Sequence, residues 1–100
     1  MSIFATQKKI IKIDDVTITI KKLSLEKQLT ISALYTANKP EEAVLALIHN
    51  CVDSWDAKDD AGNLVAFDQN SVKSLSVEAA NKLSDEILSF NNLSKDQVKN

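Results

Sequence analysis

Two runs of β-branched residues, Ile10-Ile11-Lys12-Ile13 and Val16-Thr17-Ile18-Thr19-Ile20, are separated only by Asp14-Asp15. In the second run Val16, Ile18 and Ile20 alternate with Thr17, Thr19 and Lys21, the period of a strand that buries one face. Two such strands joined by two residues make a β-hairpin. Asp-Asp suits a tight turn less well than Asn-Gly or Asp-Gly, so the loop has reason to take in a neighbour. Beyond this hairpin the chain has few breakers. With one Gly and one Pro in 100 residues, it must run mostly as regular elements joined by short connections.

Ser24 is a natural N-cap, and Leu25, Leu29, Ala33 and Thr36 follow it at helical spacing. Ile31, Leu34 and Tyr35 widen the apolar side, which predicts a well-buried first helix. Asn38-Lys39-Pro40 ends it and opens the next. Pro40 fits a first turn, where a missing N–H costs nothing, and Glu41 and Glu42 meet the positive end of the dipole. Val44, Leu47, Ile48, Cys51 and Val52 then trace an amphipathic stripe. Trp55 and Ala57 would share one side of a further strand, with Asp59-Asp60-Ala61-Gly62-Asn63 as the turn and residues 64–67 as the return. Asp68 can cap a short turn, and Ser76 a last helix with the stripe Val77, Ala80, Leu83, Ile87 and Phe90, stopped at Asn91-Asn92.

The predicted fold class is therefore α+β, a small single domain. It comprises an N-terminal β-hairpin, two central helices, a second short hairpin and a C-terminal helical unit. The strands are too few and too segregated for a parallel α/β sheet. The expected organisation is a flexible arm over residues 1–7, one domain over 8–93 and a flexible, polar tail over 94–100. A chain of this size buries about 60–70% of its unfolded surface, enough to fold without metal or disulfide.

Candidate chemistry fails on geometry or on numbers. His49 and Cys51, two apart on a helix, point about 200° away from each other and cannot touch. Cys51 falls on the apolar stripe and reads as a buried structural residue, His49 as a surface one. One Cys and one His cannot make a usual zinc set. The acids Asp53, Asp56, Asp59, Asp60 and Asp68 suggest calcium, but with Gly62 at the sixth position of an EF-hand loop the first falls on Ala57 and the last on Asp68 rather than Glu. A solvated turn is the better reading. A single Gly excludes Gly-rich phosphate loops. No catalytic residue, cofactor or metal site is expected, and the protein reads as non-enzymatic.

The formal charge is −2 and no basic stripe is evident, which argues against nucleic acid. No window approaches a membrane span, and the first residues resemble neither a signal peptide nor an anchor. The sequence is expected to be intracellular and water-soluble. Trp55 is the sharpest candidate for partner binding, set against a core role. Phe90 and Leu93 are the other candidates, at the end of the last stripe where a partner could reach them.

The order of parts from Val52 onward resembles the C-terminal half of the small tail assembly chaperones of long-tailed bacteriophages. Those carry a V-x-x-W, an acidic turn with Gly, a short capped helix, then L-P/S-x-E-x-x-x-x-L-x-x-x-I ending near Asn. The matching residues are Val52, Trp55, Asp59, Gly62, Leu75, Ser76, Glu78, Leu83, Ile87 and Asn91. Val16-Thr17-Ile18-Thr19-Ile20 followed by Lys22-Leu23-Ser24-Leu25-Glu26 is similar to the family's N-terminal half, so the likeness spans residues 16–91. Ser76 stands where Pro is frequent, and Glu26 is one position from the usual acid.

The resemblance implies a phage or prophage chaperone. It would bind the largely helical tape measure protein, help recruit major tail protein and associate weakly with its own copies. It would act in the cytoplasm of the infected bacterial host and be absent from the mature virion. The alternatives are a structural virion component of the tail or head–tail connection, or a small regulatory or inhibitor protein.

Overall fold

The structure, a computed structural model, describes residues 6–91. The elements run β1 (Lys8–Ile13), β2 (Val16–Lys21), α1 (Leu25–Thr36), α2 (Pro40–Cys51), β3 (Val52–Trp55), α3 (Gln69–Lys73) and α4 (Val77–Phe90). The fold is α+β. The strands form one antiparallel sheet in the order β1-β2-β3, within a slab of 41 × 35 × 19 Å.

The hairpin closes on two residues, with Ile13 opposite Val16 and Ile11 opposite Ile18. Asp14 takes the positive φ (52°) that this tight reversal needs. No neighbour is recruited into the loop. Pairing reaches one residue further than the strand, since the Lys22 N–H donates to the Gln7 carbonyl at 3.1 Å. Part of the expected N-terminal arm thus belongs to the sheet; residues 1–5 and 92–100 lie outside the described residues.

β3 joins this sheet rather than standing apart. Thr19 pairs with Ser54 but Ile20 with Val52, so Asp53 is an extra residue in a bulge. The bulge changes the facing of the strand. Residues three apart, Val52 and Trp55, both turn toward the helices, where strict alternation would have sent one of them outward. The second hairpin is small: Lys58 bridges Leu64, and Val65 N–H donates to the Ala57 carbonyl at 2.8 Å. Its tip is built by Asp59, whose Oδ1 accepts from the Ala61 and Asn63 N–H groups at 2.9 and 3.0 Å, with Gly62 at φ 85°.

One face of the sheet carries Ile11, Ile13, Ile18 and Ile20 into a core completed by Ile31, Ala43, Leu47, Ile48, Cys51, Val52, Val72, Leu83, Ile87 and Leu88. α2 is the hub, packed against α1, α3, α4 and β3, and α4 lies against β1 and α2. The expected caps are present. Ser24 Oγ accepts from Lys27 N–H, Ser76 Oγ from Ala79 N–H, and Asp68 forms a capping box with Ser71.

Two expectations about facing are corrected. α1 is not well buried: its Leu25-Leu29-Ala33-Thr36 stripe is exposed, and Ile31, Leu34 and Tyr35 face inward instead. The helix lies at the margin of the domain and packs on α2, so only one of its two apolar sides can be covered. In α4, Leu83 and Ile87 are buried as expected, but Val77 is 78% exposed in the first turn, while Ser84 and Leu88 are buried. The inward side is rotated toward Ser84, whose hydroxyl has no hydrogen-bond partner among the described residues. Ser84→Ala removes that desolvated group and suits a helix better, so it should raise stability by about 1 kcal/mol. A urea midpoint moved upward by the substitution is the expected result.

Candidate partner-binding surface

α1 has both of its ends fixed, and this determines which side meets water. Ser24 caps the start. At the finish Asn38 adopts φ 60°, and the N–H groups of Asn38 and Lys39 reach back to the Tyr35 and Leu34 carbonyls at 3.0 and 2.9 Å. This is a Schellman closure with Asn as the left-handed residue, and it passes directly into α2. With Ile31, Leu34 and Tyr35 held toward the core, Leu25 and Leu29 are left 75% and 61% exposed, with Ala33 beside them. The three residues span about 12 Å along the helix. A single exposed leucine is ordinary. Two leucines one turn apart and continued by an alanine form a ridge of the kind that packs against another amphipathic helix.

Trp55 is half-buried. Its indole N–H donates to the Val65 carbonyl at 2.8 Å, and its ring meets Phe67 edge-on with centroids 4.8 Å apart. Phe67 in turn stacks on exposed His49, at 6.1 Å and 17°. The three rings pin the 56–68 segment across β3 and α2. Trp55 also lines a small cavity of about 80 Å³ with Ile18, Leu75, Ala79 and Leu83. It serves packing first, with part of its surface left at the rim.

Phe90 is half-buried at the other end of α4, about 16 Å along the helix from Ala79. Lys22 lies over its ring at 4.4 Å and donates to its carbonyl. Asn91 Oδ1 accepts from the Leu23 N–H at 2.8 Å. A cation thus meets the negative end of the helix dipole, and the β2–α1 linker clasps α4. Trp55 and Phe90 are therefore not brought together, and Leu93 lies outside the described residues. The sequence places Phe67 only at the end of the return strand, and nothing local in it signals the contacts with Trp55 and His49.

Of the acids that suggested calcium, three serve the backbone and one an ion pair. Asp56 Oδ1 accepts from Thr17 N–H at 2.7 Å, Asp59 shapes the Gly62 turn, Asp68 caps α3, and Asp53 pairs with Lys8 at 3.2 Å. Among the described residues, no three His, Cys, Asp or Glu side chains are placed to hold a metal ion. Cys51 is fully buried, and burial pushes its thiol up to about 12, so it stays protonated and inert. Among the described residues, no helix is long and apolar enough to cross a membrane.

No protein-family model matches this chain, and neither does any curated protein or solved structure.

Proposed function

We propose that the chain is a non-enzymatic tail assembly chaperone of a long-tailed phage or prophage, one that holds the tape measure protein during tail assembly and helps recruit major tail protein. The observation that carries this reading is the uncovered Leu25-Leu29-Ala33 ridge of α1. The ordered likeness from Val52 to Asn91 accompanies it. A long helical client with an apolar stripe aggregates when bare, and a facing helix ridge can cover that stripe. Two leucines make a small contact, so each one is weak. Many copies along one long client gain from multivalency, and the client is released without a strong bond to break. On this reading the protein works in the host cytoplasm and is left behind when the virion is complete.

The reading is tested by co-expression with the tape measure protein of the same phage genome. That protein alone should be largely insoluble and should stay in solution when this chain is present. A tape measure protein that remains insoluble, with none of this chain retained on it, removes the proposal.

A structural tail component is the second reading: among the described residues no strand lies beside the outer edge of β1, and tube subunits pair strands between neighbours. The lysines on that edge oppose pairing with an identical strand.

A further inference from the structure

The exposed side of α1 carries almost no charge. Leu25, Leu29, Ala33 and Ala37 stand four apart and are all exposed, so they make one continuous ridge of about 18 Å along the helix. Glu26 is the only charged helix residue beside it, because Lys27 is turned about 140° from the ridge's centre. A solvated helix face ordinarily carries charged residues in number. The ridge is also uneven: its first half is two leucines and its second half two alanines.

That unevenness is complementary to itself. A two-fold axis level with Ile31 sets Leu25 of one copy on Ala37 of the other, and Leu29 on Ala33. Each long side chain then meets a short one, the alternation that lets two helices approach closely and interdigitate. A parallel pair would set leucine on leucine and leave a gap between the alanines. Charge selects the same arrangement. The leucine end has two lysines and one glutamate, Lys22, Lys27 and Glu26, with Lys22 holding the Phe90 carbonyl. The alanine end has one lysine and two glutamates, Lys39 paired with Glu42 at 4.0 Å and Glu41 beside them. An antiparallel pair sets each negative end beside a positive one and opposes the two helix dipoles, where a parallel pair sets like ends together.

We propose that two copies of this chain pair through α1 in antiparallel, with Leu25 and Leu29 of each seated on Ala37 and Ala33 of the other. The contact is isologous and closed by its two-fold axis, so it stops at a dimer. A helix about 10 Å across that touches its mate over about 18 Å buries on the order of 700 Å² in total, below the roughly 1,200 Å² of a stable interface. The dimer is therefore weak, with a Kd on the order of 0.1 mM. It rests on α1 alone and not on the identity of a client. Where the ridge also takes the proposed helical client, the second copy is the cover that the client displaces.

The test is sedimentation equilibrium of the full chain with no client present. A reversible monomer–dimer equilibrium is expected between about 10 µM and about 1 mM. Leu29→Lys and Ala33→Glu, both at exposed positions, should each weaken it about tenfold or more, with thermal melts run alongside to show that both variants are folded. Mixed in equal amounts, the two variants should associate again, because the antiparallel register sets position 29 of one copy opposite position 33 of the other. A parallel pair sets 29 opposite 29 and gives no such recovery. No self-association up to about 1 mM, association unchanged in either variant, or no recovery on mixing would overturn the proposal. Any of these results beside intact client binding removes the dimer alone, and loss of client binding leaves the dimer standing.

Discussion

Leu83→Ala is expected to lower the stability of the domain by about 2–5 kcal/mol, which in a thermal melt of a chain of this size moves the midpoint down by roughly 10–25 °C. Leu83 is 1% exposed, on the inward side of α4. It already borders a small cavity lined by Ile13, Val16, Ile18 and Trp55. Truncation enlarges that void, and the surrounding residues cannot collapse into it, because they are fixed by the sheet on one side and by the Trp55–Phe67 contact on the other. Phe90→Ala is the informative comparison. Phe90 is half-buried at the helix end under Lys22, so its loss should shift the melt much less. Equal melts for the two variants would mean that the end of α4 is as much core as its middle.

Trp55→Ala should have the second large effect, about 2–4 kcal/mol. It removes the indole donor to Val65, the edge contact with Phe67, and with them the anchor of the 56–68 segment. Trp55→Phe keeps an aromatic ring there but not the donor, and the Val65 carbonyl can turn to solvent, so about 1 kcal/mol is expected. Hydrogen exchange separates the two roles. In Trp55→Ala the amides of Asp59, Gly62 and Val65, which close the small hairpin, should exchange faster than the global unfolding rate requires. Unchanged protection at those three amides would show that the loop holds itself.

The parts legible in the sequence are those fixed by local chemistry. A two-residue link between β-branched runs allows only a hairpin. Ser24, Asp68 and Ser76 announce helix starts because their side chains serve backbone N–H groups within the next turn. The stripe of α2 was legible because its apolar residues lie on one side. α1 has apolar residues on both sides, and periodicity then gives the helix without saying which side has a neighbour. The Asp53 bulge was illegible for a similar reason, since it arises from pairing with β2 and not from residues 52–55 themselves. Of the candidate partner residues, Trp55 and Phe90 turned out to be tied down by intramolecular contacts. The exposed ridge of α1, Leu25, Leu29 and Ala33, lies on the stripe that the spacing predicts as buried.

The proposed hold of this ridge on a helical client can be read in one titration. Purified tape measure segments with an apolar stripe are titrated with the native chain and with Leu25→Glu/Leu29→Glu. Both positions are exposed, so the double substitution should leave the melting temperature nearly unchanged, within about 0.5 kcal/mol per site. Saturable binding by the native chain and at least about a tenfold loss in the variant are expected. Equal affinity of the two, or no binding by the native chain, would rule out the ridge as the client's seat.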